Sequence, residues 1–176
     1  GVEFDLVYVP NANLTLGTAI GYNKAEYQEF ETGECTIEQL FAVTGGNPFI
    51  PPNCVQDLSG EVLDNAPEWT VSTYAHYETQ VSDNVGWFGR LEYNYTDEFY
   101  MAQDLDEALL NDEAHLVNAR TGIYGDERQW EVTAWVRNLL DEENFVIGFD
   151  IPVISGYAAI NAPPRTFGLT LNFRYE

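Results

Sequence analysis

Three sets of residues carry side chains that could do chemistry, and each stops short of a full motif. Asp104, Asp106 and Glu107 resemble a fragment of a calcium loop. Such a loop needs oxygen ligands at alternate positions and a closing bidentate Glu, and no D-x-D-x-D-G-x₅-E pattern follows. His76 and His115 have no nucleophile or base motif around them. His76 falls on the polar side of an alternating segment, where a hydrogen-bonded structural role is the default. Cys35 and Cys54 flank one polar loop, which reads as a loop disulfide formed in an oxidising compartment. No CxxC is present, and both histidines are far off in sequence, so zinc is not expected. There is no G-x-S-x-G and no P-loop; Gly45-Gly46 is a lone pair. Among 29 Asp and Glu residues nothing singles out two carboxylates for glycoside chemistry. The expectation is a non-enzyme without metal or cofactor.

The acids outnumber the bases by 29 to 7, a formal net charge of −22. A nucleic-acid partner is excluded, because phosphate neutralisation needs a basic footprint. The charge also argues against anchoring on anionic lipid by basic patches. Yet 14% of the chain is aromatic, too much for an acidic disordered segment. No apolar run approaches the roughly 18–20 residues of a membrane helix.

The elements that must position these side chains are strands. Apolar and polar residues alternate with period two, and helical periodicity is nearly absent. Strands are expected at about 2–9, 14–29, 68–79, 85–97, 115–124, 129–138 and 166–175, with the alternation of the second clearest over 14–23. Strands of about ten residues match the length of a tilted membrane strand. Turn chemistry sits at Pro10–Asn13, Val81–Asn84 and Gly125–Glu127. Long loops lie between, at about 30–67, 98–114 and 139–164. Strict short–long alternation puts every long loop at one end of the sheet, as in transmembrane β-barrels.

The two faces differ. One is aliphatic with aromatics toward the strand ends, among them Tyr8, Tyr22, Trp69, Tyr93, Tyr95 and Trp130. The other carries Arg90, Glu92, Arg120, Glu131, Arg137 and Arg174, which suit a hydrated lumen. Against lipid such charges would cost roughly 2–4 kcal/mol each near the midplane. A soluble β-sandwich or small ligand-binding barrel also alternates, and would bury the apolar face instead. The negative charge concentrates in the long loops, for example at Glu31, Glu34, Glu38, Asp104, Asp106, Asp112, Asp141 and Asp150. Their ordinary reading is a solvated outer surface.

Four segments then carry a family resemblance. Asn138-Leu139-Leu140-Asp141, running out of Trp130–Arg137 and followed by Phe145, resembles a late-strand hallmark of TonB-dependent outer-membrane receptors. Pro164-Arg165-Thr166-Phe167-Gly168 and the alternation to Tyr175 resemble that family's last strand. Asn65-Ala66-Pro67-Glu68-Trp69 resembles its loop-to-strand entry, and Gly1–Glu3 with Leu14–Leu16 and Gly21-Tyr22 its preceding hairpin. The resemblance implies a 22-stranded barrel with a plug, in the outer membrane of a Gram-negative bacterium. It implies uptake of a siderophore, cobalamin, oligosaccharide or similar small-molecule nutrient. Residues 1–176 would form the C-terminal part of that barrel, an antiparallel up-and-down meander of about seven strands in the all-β class. The chain is therefore expected to be a fragment. Its partners would be the remaining strands and plug of the same receptor, the lipid bilayer, and the TonB complex through an N-terminal region. Phe41, Phe49, Tyr100 and Met101 in the loops are the expected ligand contacts.

Overall fold

The computed structural model describes residues 1–47, 54–125, 128–151 and 156–175. Seven strands form one antiparallel sheet: β1 (Val2–Asn11), β2 (Leu14–Tyr22), β3 (Trp69–Ser82), β4 (Val85–Thr96), β7 (Ala114–Gly125), β8 (Trp130–Arg137) and β11 (Thr166–Phe173). They are hydrogen-bonded in chain order, the up-and-down meander that the alternation predicts. Directly opposed residues share a face, so the register shows whether the pattern is kept across the sheet. Phe4 faces Ile20, Ile20 faces Val71, and Val71 faces Tyr95. Further along, Leu91 faces Ala119, Ala119 faces Val136 and Val136 faces Phe167. One unbroken apolar face results. The opposite face runs through Glu92 and Asn118, Arg90 and Arg120, Tyr124 and Glu131, then Glu131 and Asn172.

The polar face also holds close approaches that only glycine allows. Tyr74 lies across Gly17 of the neighbouring strand, where an added Cβ would come within 2.2 Å of the ring. Tyr124 covers Gly86 in the same way, within 2.0 Å. Each glycine makes a slot in which a large ring lies flat on the sheet.

Two short turns close the described hairpins at one end. In the first, Asn11 Oδ1 accepts from the backbone N–H of Asn13 (2.9 Å) and of Leu14 (3.0 Å), an Asx turn that fixes the reversal. The second is Asp83-Asn84. The third, at Gly125–Glu127, falls partly outside the described residues.

The opposite end departs from the expected loops. The strand expected over 14–29 stops at Tyr22. Beyond it the residues at 24, 26 and 28 are Lys, Glu and Gln, no side of the segment stays apolar, and regular pairing gives way to single bridges. Tyr27 donates to Glu61 O (2.9 Å), Leu63 to Ala25 O (3.0 Å), and Glu26 bridges Val62. The segments expected as plain loops contain α1 (Ile37–Thr44), the small hairpin β5 (Phe99–Tyr100) and β6 (Leu110–Asn111), and the hairpin β9 (Phe145–Ile151) and β10 (Gly156–Asn161). A capping box starts α1: Thr36 accepts from Gln39 N (3.3 Å), and the Gln39 side chain accepts from Thr36 N (3.1 Å). Gly45, at φ 61°, ends it in the left-handed conformation.

Much of the interior sits in this loop layer. Cys35, Ile37, Leu58, Met101 and Leu109 are its buried apolar residues, Ala114 is buried at the start of β7, Phe88 and Tyr124 are buried on the polar face of the sheet, and Cys35 and Cys54 are joined as a disulfide. The apolar face of the sheet is the reverse: on β11, Phe167 is 80% exposed and Leu169 76%. No further layer covers that face among the described residues.

Candidate functional site

Two places gather polar side chains. The first is a concavity of about 330 Å³ on the polar face, spanning β4, β7, β8 and β11. Arg90 and Arg120 lie directly opposite on β4 and β7. Glu92 accepts from Arg90 Nε at 2.5 Å, and the Arg90 guanidinium stacks over the Tyr74 ring at 3.9 Å. Arg137 lies over Trp135 at 5.3 Å, and Trp135 donates to Thr170 Oγ1 (3.1 Å). Glu131 accepts from Thr133 Oγ1 (3.0 Å) and from Arg128 (2.9 Å). Arg128 also reaches Glu78 at 2.7 Å and lies over the Tyr124 ring at 4.2 Å. Five of the six residues expected on a lumen face thus line one concavity: Arg90, Glu92, Arg120, Glu131 and Arg137. Arg174 lies past the end of β11, where its N–H donates to Gln129 O (2.9 Å). Held guanidinia beside fixed carboxylates and ring faces can recognise a polar, partly anionic solute.

The second place is in the loop layer, where all three long connections meet. Asp104 and Asp106 lie between β5 and β6, and Asp150 near the end of β9. Carboxylate oxygens of the three lie within 4.8 Å of one another. Asp104 Oδ1 accepts from Asp106 N (3.4 Å), and Asp106 Oδ1 accepts from Ala108 N (2.9 Å), capping the single 3-10 turn Glu107–Leu109. Tyr157 is paired with Asp150 across the β9–β10 hairpin. Its hydroxyl donates to Asp106 Oδ2 (3.1 Å) and is also hydrogen-bonded to Glu38 of α1. Gln56 closes the arrangement from the first loop, donating to Glu34 O (2.5 Å) and Asp104 O (2.7 Å).

The electrostatics follow from this crowding. Burial, then the carboxyl of Asp150 beside it, pushes Asp104 up to about 7. Burial also raises Asp106, against the pull of its hydrogen bonds from Ala108 and Tyr157. Glu38, at the exposed edge, is lowered by the hydrogen bond from Tyr157. The Tyr157 phenol is raised by burial and by the acids around it.

Of the loop residues expected to contact ligand, Phe41 is exposed on α1 and Tyr100 half-buried on β5. Met101 is buried, and an added Cβ at Gly148 of β9 would come within 2.6 Å of its methyl. Phe49 lies outside the described residues. The sequence did not single out Gln56 or Tyr157, and it had no signal joining Asp150 to Asp104, because the chain folds back through β9 to bring them together.

The two segments with the most specific motifs also meet. Asn138, at φ 51°, is buried where β8 ends. Its side chain donates to Glu142 O (2.9 Å) and accepts from Glu142 N (2.9 Å), while its own N–H donates to Asn118 Oδ1 (3.0 Å). Asp141 accepts from Arg165 N (2.9 Å) and pairs with its guanidinium (3.4 Å). The Asn-Leu-Leu-Asp and Pro-Arg segments therefore form one clasp between the end of β8 and the start of β11.

No protein-family model matches the sequence, and no curated protein matches it. By fold the chain is similar to the ferric yersiniabactin uptake receptor FyuA from Yersinia pestis, with a TM-score of 0.71 and 13% identity, over 96% of this chain and 22% of that one. It is also similar to the siderophore receptor PiuA from Acinetobacter baumannii, with a TM-score of 0.68 and 16% identity, over 98% of this chain and 21% of that one. The chain thus spans about a fifth of the length of either receptor, and its fold is that of a receptor segment.

Proposed function

We propose that residues 1–176 are the C-terminal part of the β-barrel of a TonB-dependent receptor in the outer membrane of a Gram-negative bacterium. The seven-stranded sheet is wall, its apolar face turned to lipid and its polar face to the lumen. The three long loops stand outside and take part in capturing a small-molecule nutrient. A ferric siderophore is the first ligand to test, because one solved neighbour in fold is named a siderophore receptor and the other a ferric yersiniabactin uptake receptor. The partners are the remaining strands and plug, the lipid bilayer and the TonB complex. The mechanism is transport, with no covalent step assigned to any residue of this chain.

One observation carries the reading: the side chains are buried on the wrong side for a water-soluble sheet. Phe4, Leu6, Leu91, Phe167, Leu169 and Leu171 share the exposed apolar face, while the buried apolar side chains lie in the loops or, as Phe88 and Tyr124 do, on the polar face. Exposed apolar area on this scale marks contact with something other than water, and the interleaved register makes it a continuous band. The test is extraction of the complete polypeptide from membranes. The expected result is a β-rich species that needs detergent and changes gel mobility on heating. A protein that stays folded and monomeric in detergent-free buffer would refute the wall. Uptake of a labelled ferric siderophore, lost when TonB is deleted, tests the transport step separately.

A further inference from the structure

We infer that Asp104, Asp106 and Asp150 form a calcium site that ties the second and third long loops together. The first observation is geometric. The three carboxylates offer oxygens within 4.8 Å of one another, the span available to two oxygens that both touch one calcium ion at roughly 2.4 Å. The second observation is independent of the clustering and points to a ligand. Asp104 is only 4% exposed, and its Oδ2 is buried without any hydrogen-bond donor. The buried Oδ1 of Asp150 is in the same condition. A buried acceptor left unpaired costs about 1–3 kcal/mol, and more when charged, so one on each of two carboxylates this close together calls for a shared positive partner.

The chain's own cations do not supply it. Of its seven basic residues, Lys24 pairs with Glu26, Arg90 with Glu92, Arg128 with Glu78 and Glu131, and Arg165 with Asp141. Arg120 lies opposite Arg90, Arg137 stacks on Trp135, and Arg174 lies past the end of β11. Among the described residues no ion pair reaches Asp104, Asp106 or Asp150. An inorganic cation or a shared proton is what remains, and all-carboxylate oxygen donors select a hard cation. Calcium fits better than magnesium, which dehydrates reluctantly and favours few protein ligands with several waters. Tyr157, donating to Asp106 and bonded to Glu38, holds one ligand in place from outside. The absent D-x-D-x-D-G pattern is no obstacle, because the third carboxylate comes from a different hairpin.

The site stands on loop geometry and does not depend on the uptake reading, so either can fail without the other. The test titrates CaCl2 into the complete polypeptide after stripping with EDTA, by calorimetry, with MgCl2 in a parallel run. The expected result is one calcium per chain, weakened more than about tenfold by Asp104→Asn and by Asp150→Asn. Asp57→Asn, at an exposed loop acid, leaves it within about twofold. Bound calcium also slows protease cleavage in the loops, since a ligand of the folded state stabilises it. Asp150→Asn serves if Asp104→Asn does not fold. No binding at millimolar calcium would overturn the assignment and leave Asp104 and Asp150 as a pair sharing a proton. Unchanged affinity in both variants, or tighter binding of magnesium than calcium, would overturn it as well.

Discussion

Leu169 and Leu109 are the same residue type in one chain, and they are 76% and 1% exposed. Leu169 belongs to the wall, opposite Ala134 on the apolar face. Leu109 belongs to the loop layer, under Met101, whose N–H donates to Leu109 O (2.9 Å). The wall is regular in backbone and open in side chains: its hydrogen bonds run strand to strand, and its apolar groups wait for an outside partner. The loop layer is irregular in backbone and closed in side chains, with a small core, a disulfide and side-chain amides that satisfy loop carbonyls. The difference teaches where each region draws its stability. On the proposed function the wall draws it from a solvent that is itself apolar, whereas the loops carry their interior with them.

Substitutions of matched type can break or sharpen that contrast. Leu109→Ala is expected to have the largest effect, about 2–5 kcal/mol, because it leaves a cavity that a packed interior cannot refill. Hydrogen exchange would show the opening confined to the loops, with the wall still protected. Leu91→Arg, at the centre of the apolar face, is expected to cost about 2–4 kcal/mol, measured by denaturant titration in bilayers. A change within about 0.5 kcal/mol, as on an ordinary wet surface, would abolish the contrast. Asn138→Ala removes the reciprocal bonds to Glu142 and is expected to cost about 1–3 kcal/mol, seen as raised exchange at the start of β11. Leu91→Ala is expected to cost least, below about 2 kcal/mol, since only transfer free energy is lost and lipid chains close the gap. If Leu91→Ala matched Leu109→Ala, the wall would be packed against protein.

The wall was legible in the sequence because a strand with one apolar face writes its register as period two. Phe4, Ile20, Val71, Leu91 and Phe167 stand at the alternating positions that the register confirms. The polar-face set is legible for the same reason, and the strand count of the main sheet with it. The loop layer was not. Asn111 holds Phe145 through two hydrogen bonds, at 3.3 and 3.2 Å, across a long sequence gap that no local pattern announces. The run Phe145–Phe149 falls in the segment expected as a long loop, and it pairs only with β10 and not with the main sheet. The second strand is shorter than its expected range of 14–29 because the bridged segments past Tyr22 keep no apolar face. In the sequence Asp104 and Asp106 form only a broken local motif; the residue that completes the group, Asp150, arrives through tertiary folding.

The amide of Gln56 has a consequence for kinetics. By holding carbonyls of Glu34 and Asp104 together, it joins the first and second loops, while Tyr157 joins the third to both. Three separate lids would each lose conformational freedom on closing over a solute, a cost subtracted from affinity. Loops already fastened to one another have lost most of that freedom during folding. On the proposed function, a solute would then meet a largely preformed rim and associate at a rate set by diffusion and charge.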